Sequence, residues 1–196
     1  LPHWNWGGRE GEVTPVFVYT NYDSAELFVN GKSMGIQTKN NETPQNRYRL
    51  MWMDVKYEPG TLKVVAFDEN GKVAEEKVIH TAGKPHRLIL EADRTPLKAN
   101  GKDLAFVTVS VVDKNGIPCP TAINQLNFTV KGKGKYRAAC NGDATSLEMF
   151  HFPTMKLFSG KLVVLVQSTD DAGSIDLQVI GKGLKSGKLK LNSTEF

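Results

Sequence analysis

The chain has 196 residues, 40% of them hydrophobic, and its 25 Lys+Arg against 21 Asp+Glu give a formal net charge of +4. That length suits one large domain or two of roughly a hundred residues, and a mean hydropathy of −0.33 fits soluble domains with apolar cores. No apolar run approaches the roughly 20 residues that span a bilayer, and two cysteines, Cys119 and Cys140, make neither a disulfide framework nor a Cys-rich zinc site. Free thiols are the expectation there. Residues 1–82 carry 9 Lys+Arg and 11 Asp+Glu, whereas residues 83–196 carry 16 and 10. The basic excess of the second part is scattered over strand ends and turns with little aromatic interleaving, which argues for a solvated face and against nucleic-acid binding.

The chain opens on Leu1 with no signal-type segment, so it reads as a processed product or a piece of a longer polypeptide. His3-Trp4-Asn5-Trp6 follows, with Trp4 and Trp6 on one side of an extended segment. Such a pair serves as a core anchor, a platform for a sugar ring, or a plug into a neighbouring domain. Val16 to Thr20, the turn Asn21 to Ser24 and Ala25 to Val29 predict a strand–turn–strand hairpin. In the second strand Ala25, Leu27 and Val29 share an apolar face. Asn30-Gly31 fits a type I′ turn, whose two central residues need positive φ, so the chain should pair again through Met34 to Gln37.

Thr38 to Arg47 reads as an exposed loop, and Trp52 beyond it as a buried core aromatic. Leu62 to Phe67, the turn Asp68 to Gly71 and Lys72 to Ile79 predict a second hairpin, with Val64, Ala66 and Val73 inward. Thr81-Ala82-Gly83-Lys84-Pro85 is the best boundary, dividing the chain into domains 1–82 and 83–196. Arg87 to Ala92 and Leu104 to Val112 are predicted strands, the latter with Ala105, Val107, Val109 and Val111 on its core face. Pro118 and Pro120 interrupt pairing, because proline cannot donate to a ladder. Leu126 to Val130, Leu162 to Gln167, Ile175 to Ile180 and Leu184 to Leu191 complete the strands. Thr169 to Gly173 is predicted to close a hairpin and Gly132-Lys133-Gly134-Lys135 to connect strands. Short strands at even spacing, with at most a turn or two of helix, predict an all-β chain of two tandem immunoglobulin-like β-sandwich domains.

Motifs that would carry chemistry do not assemble. The Gly-Lys-Gly-Lys run lacks phosphate-loop spacing, and His3, His80, His86 and His151 lack metal-ligand spacing. Glycoside hydrolysis needs two acids set apart in pKa. Asp170/Asp171, Glu75/Glu76 and Glu10/Glu12 show no apolar pocket that would do this, and all read as solvated acids. Asn141-Gly142-Asp143 reads as a tight turn, too sparse in oxygens for calcium. We therefore expect no catalytic residues, metal or cofactor. Met149 to Met155 places large apolar side chains where alternation fails, as in a loop packed under a sheet or against another domain. His3, Trp4, Trp6, Phe150 and Phe152 are the candidates for interdomain docking or sugar stacking.

His3 to Trp6, Pro15 to Asn21 and Glu26 to Gly35 together resemble the accessory module that follows the catalytic barrel in bacterial glycoside hydrolases of family two, β-galactosidase-like ones above all. Asp103 to Val109 with Asp113 to Gly116, Asn141 to Asp143 and Phe158 to Lys161 resemble the immunoglobulin-like C-terminal domain of the same enzymes. Lys56 stands where proline is common in that family. The resemblance implies a modular, retaining parent, periplasmic or at the cell surface, with two glutamates and any metal on a barrel that does not map onto this chain. It implies the barrel as partner and a role in bracing it or walling its entrance. A carbohydrate-binding module using Trp4 and Trp6, and an adhesion-type immunoglobulin-like pair, remain as alternatives.

Overall fold

Nearly every stretch with period-two alternation is a strand in the computed structural model, which describes residues 2–195. One compact unit ends at Thr81 and a second begins at Ala82. In the first unit the strands are β1 (Val16–Val18), β2 (Ser24–Val29), β3 (Lys32–Thr38), β4 (Leu50–Trp52), β5 (Thr61–Phe67) and β6 (Val73–His80), with a short helix α1 (Pro44–Tyr48). They form a sheet of order β3-β2-β5-β6 and a ribbon of β1 with β4. Ala25, Leu27 and Val29 pack with Trp52, Leu50, Val16 and Trp4 in the core between them. Full burial of such side chains is worth about 1.5–3 kcal/mol each.

The expected β1–β2 hairpin does not form. Both edges of β2 are taken, by β3 across the Asn-Gly turn and by β5, so β1 crosses the core and pairs with β4 instead. The Asn-Gly turn itself is as predicted, with φ of 49° at Asn30 and 82° at Gly31. Gly31→Ala should cost the first unit about 1 kcal/mol, because a Cβ is strained at that φ. Denaturant unfolding followed by tryptophan fluorescence measures this, since Trp4, Trp6 and Trp52 all lie in that unit. The predicted loop 38–47 contains the start of α1, capped by Thr43 Oγ1, which accepts from the Asn46 N–H with Pro44 in the first turn. Val73, expected inward, is 60% exposed. Its strand β6 is the outer strand of its sheet and is exposed along almost its whole length, and Glu75, Glu76 and Lys77 blunt that edge.

The second unit holds β7 (Arg87–Ala92), β8 (Leu97–Lys98), β9 (Leu104–Val112), β10 (Gln125–Gly132), β11 (Gly134–Cys140), β12 (Thr154–Lys156), β13 (Lys161–Ser168), β14 (Gly173–Gly181) and β15 (Gly187–Thr194). Sheets of order β12-β10-β14-β15-β8 and β11-β13-β9-β7 enclose one core. Ala105, Val107, Val109 and Val111 of β9 face Leu126, Ile175, Leu177 and Leu191 in that core. The segment 169–173 does not close a hairpin: β13 lies between β11 and β9, and β14 between β10 and β15, so the loop crosses between layers. Residues 132–135 are not merely a connection. Gly134 opens β11, and a Cβ there would stand 2.5 Å from Ile175 Cγ2, so the backbone can approach the core only as glycine.

Candidate functional site

The aromatic opening segment packs on the first unit's core, Trp4 within it and Trp6 at its edge. Trp4 is 2% exposed. Its indole N–H donates to the Glu58 carbonyl at 2.9 Å, its ring meets Tyr57 edge-on at 5.0 Å, and its own carbonyl accepts from the Thr81 hydroxyl. With both faces enclosed, Trp4 is a core anchor and offers no surface for a sugar or a neighbouring domain. Trp6 packs half-buried against the same core cluster, beside His3, with ring centroids 4.6 Å apart. Burial lowers the pKa of His3.

His3 and Trp6 line a cleft of about 790 Å³ within the first unit. Leu62, Val64 and Ala66 of β5 give it an apolar lining, and Glu75 and Lys77 of β6 a charged one. It exists because the ribbon of β1 and β4 has fewer strands than the sheet it covers. Chemically it offers apolar contact and a single carboxylate. Glu76 points to the other face of β6 and ion-pairs with Lys63 at 3.7 Å, so Glu75 and Glu76 do not converge.

In the second unit, residues 143–153 form a loop whose backbone is fixed and whose apolar side chains are bare. Ala139 N–H donates to Phe150 O, and the Tyr136 hydroxyl lies 2.9 Å from Phe150 O and 2.6 Å from Phe152 O. Burial pushes the Tyr136 phenol up to about 12, so it keeps its proton for these carbonyls. Glu148 accepts from the Lys156 N–H and from Gln125. Asp143 accepts from the Thr145 N–H and hydroxyl, which makes Asn141-Gly142-Asp143 a turn. Held this way, Leu147 is 95% exposed, and Met149, Phe150 and Phe152 are each more than half exposed. The structure thus places Phe150 and Phe152 together on one rigid apolar loop, apart in sequence and unit from His3 and Trp6.

One surface escaped the sequence reading. On the outside of the ribbon, Phe17 stands opposite Met51, with Arg49 and Tyr19 beside them. The Arg49 guanidinium lies 4.8 Å from the Phe17 ring centroid, and its Nη1 donates to the Tyr19 hydroxyl at 3.2 Å. The signal was present in the alternation of Val13, Pro15, Phe17 and Tyr19 against Thr14, Val16 and Val18.

The acids weighed for catalysis sit at separate places. Asp171 accepts from Lys133 Nζ at 2.8 Å, and that bond and charge hold its pKa below the usual value. Glu12 pairs with Arg9, and Glu10 accepts from the Gly8 N–H. No group of three His, Cys, Asp or Glu side chains fit to hold a metal occurs among the described residues. Both thiols are free, Cys119 buried and Cys140 exposed. Burial, aided by the charge of Asp113, pushes Cys119 up to about 11.

Residues 88–190 match the family model described as glycoside hydrolase family 2 C-terminal domain 5. The chain belongs to that family. Residues 11–75 match a domain of unknown function, DUF4982. A β-galactosidase of Bacteroides ovatus, BoGH2A, is 44% identical over 197 residues, covering 100% of this chain and 22% of its own length. A β-glucuronidase of Formosa agariphila is 29% identical, covering 97% of this chain and 19% of its own. The crystal structure of a glycosyl hydrolase family 2 member from Bacteroides cellulosilyticus superposes with a TM-score of 0.93 at 31% identity, covering 99% of this chain and 24% of that one. This family 2 C-terminal chain thus spans about a fifth of the length of the curated relatives it matches. Its all-β architecture of β-sandwich units is that of its family 2 neighbours. No helix among the described residues is long and apolar enough to cross a membrane.

Proposed function

We propose that this chain is the non-catalytic β-sandwich region of a β-galactosidase-like glycoside hydrolase, and that it braces or walls the catalytic barrel of its parent. The observation that carries this reading is coverage: the whole chain aligns, yet only with about a fifth of each relative. The scatter of the acids over separate places supports it, since retaining hydrolysis needs two carboxyl groups about 5–5.5 Å apart. The loop carrying Leu147, Phe150 and Phe152 supplies the docking contact in this proposal, because exposed apolar side chains on a hydrogen-bonded backbone bind with little backbone ordering cost. A periplasmic or cell-surface address for the parent belongs to the same proposal and rests on the family resemblance.

The test compares Leu147→Ser with Phe150→Ser, singly and together, in the 196-residue chain and in the full-length parent. In the chain alone each should change stability by less than about 0.5 kcal/mol, since the side chains are already in water. In the parent each should cost about 1–2 kcal/mol of interface, read as an earlier calorimetric transition. Equal effects in both forms, or release of nitrophenol from an aryl β-galactoside by the chain alone, would overturn the reading. The cleft beside Trp6 and His3 favours the carbohydrate-module reading as a second. Titration with galactose, lactose or plant polysaccharide giving a Kd below about 1 mM would promote it.

A further inference from the structure

The outer face of the ribbon of β1 and β4 is apolar where water-facing ribbons are polar. Alternation sends Val13, Phe17 and Tyr19 outward on one side and Arg49, Met51 and Met53 on the other, with Phe17 registered against Met51. Val13, Phe17, Tyr19 and Met53 are between 44% and 70% exposed. Arg49 is the one charge among these six and none of them is acidic; a second cation, Lys56, bridges to Val13 at the end of the face.

Arg49 is also an unfinished ion. Its guanidinium is fixed by the Phe17 ring and the Tyr19 hydroxyl, and no carboxylate pairs with it among the described residues. Its Nε is shut away from solvent with no hydrogen-bond partner. An arriving group cannot reach that enclosed atom and would meet the terminal nitrogens, of which Nη1 is bonded to Tyr19 and Nη2 has no hydrogen-bond partner among the described residues. A cation held rigid on an apolar face, with donors to spare, is shaped for a carboxylate arriving with apolar surface around it.

We propose that this face is an interface with the larger part of the parent polypeptide, which sets an Asp or Glu side chain against Arg49. The proposal rests on the accessory reading above and adds to it a second contact, of defined charge, in the other unit. Length supplies the occupant, because about four fifths of each matched relative lies outside the region this chain covers. A covalently joined neighbour acts at millimolar effective concentration. Charge disfavours a second copy: a two-fold contact would set this face against itself and bring no anion to either guanidinium.

Met53 and Met149 report on the two surfaces in one experiment. Both are more than half exposed in the chain alone, Met53 on the ribbon and Met149 on the loop of the second unit. Under hydrogen peroxide, sulfoxide formation at each is followed by mass spectrometry in the 196-residue chain and in the full-length parent. We expect Met53 to oxidise at least tenfold more slowly in the parent. In the parent, Arg49→Gln should restore fivefold or more of that rate, and in the chain alone it should change nothing. Protection of Met149 without protection of Met53 overturns this interface and leaves the accessory reading standing. Equal rates at both methionines in both forms overturn the two together. Protection of Met53 that is unmoved by Arg49→Gln overturns the carboxylate pairing.

Discussion

Trp4→Ala should lower the stability of the first unit by about 3–5 kcal/mol, the range for truncating a buried aromatic. The ring is enclosed at 2% exposure, and its removal also strands the Glu58 carbonyl and the edge contact with Tyr57. A unit of this size holds a net stability of only several kcal/mol. The variant should therefore be largely unfolded, or lose its cooperative transition, at 37 °C. Fluorescence of the remaining Trp6 and Trp52 reads this directly, and the second unit has no tryptophan to confuse the signal. Trp4→Phe separates packing from hydrogen bonding: it keeps most of the aromatic contact and should cost about 1 kcal/mol for the lost N–H bond, plus the smaller ring. If Trp4 served a partner or a sugar instead, Trp4→Ala would leave stability within about 0.5 kcal/mol of the native chain. The sequence could not decide this, because Trp-Asn-Trp in an extended segment looks alike whether it anchors a core or faces water.

Alternation was a sound guide to which side chain faces a core and a poor one to which strand lies alongside. The extent of β9 and its four inward residues were legible residue by residue, since Ala105, Val107, Val109 and Val111 alternate with polar or larger neighbours over a full strand. Partners across a sheet leave no such mark. The turn-rich segments 21–24 and 169–173 resemble hairpin loops, yet each carries the chain across a core because the edges it would have used are occupied. Two turns did fix a pairing locally: Asn30-Gly31, where both residues need positive φ, joined β2 to β3, and Asp68 to Gly71 closed the predicted hairpin of β5 and β6. Strand β11 was hidden for a different reason. It begins in a Gly-Lys run and carries Lys135 and Arg137 outward, and its bulge between Tyr136 and Ala138 breaks the period.

The surfaces were legible in the same uneven way. Phe150 and Phe152 stood out because four large apolar residues fall between Met149 and Met155 without clean alternation; the structure buries Met155 on β12 and leaves Met149, Phe150 and Phe152 in water on a backbone fixed by Tyr136. Arg49 and Phe17 did not stand out. Their meeting depends on the pairing of β1 with β4, residues more than thirty positions apart, where local alternation and turn residues predict a hairpin of β1 with β2.

Asp113→Ala should destabilise the second unit by about 3 kcal/mol or more, and the deficit should shrink in acid. The side chain is 3% exposed, and its carboxylate accepts from the Gly83 N–H at 2.8 Å, Asn115 N–H at 2.8 Å and Ile117 N–H at 2.9 Å. It thereby ties the first residues of the unit to the turn that follows β9. Alanine leaves three amides without their acceptor, at about 1–3 kcal/mol for each that water cannot reach. Burial alone would raise the pKa of Asp113, but the N–H donors of Gly83, Ile117, Asn115 and Gly116 outweigh it and hold the carboxyl below its usual value. A depressed pKa contributes stability that is present above the unfolded value of about 3.9 and is lost as pH falls through the folded value. The native chain should therefore lose this contribution below about pH 4, while the alanine variant has none to lose. Hydrogen-exchange mass spectrometry on the β9 amides, run from pH 7 to pH 3 with the intrinsic rate corrected, gives the gap at each pH. A gap that stays constant across that range would mean the carboxylate is not what holds the turn. Tryptophan fluorescence should stay silent throughout, because the first unit has no part in these bonds.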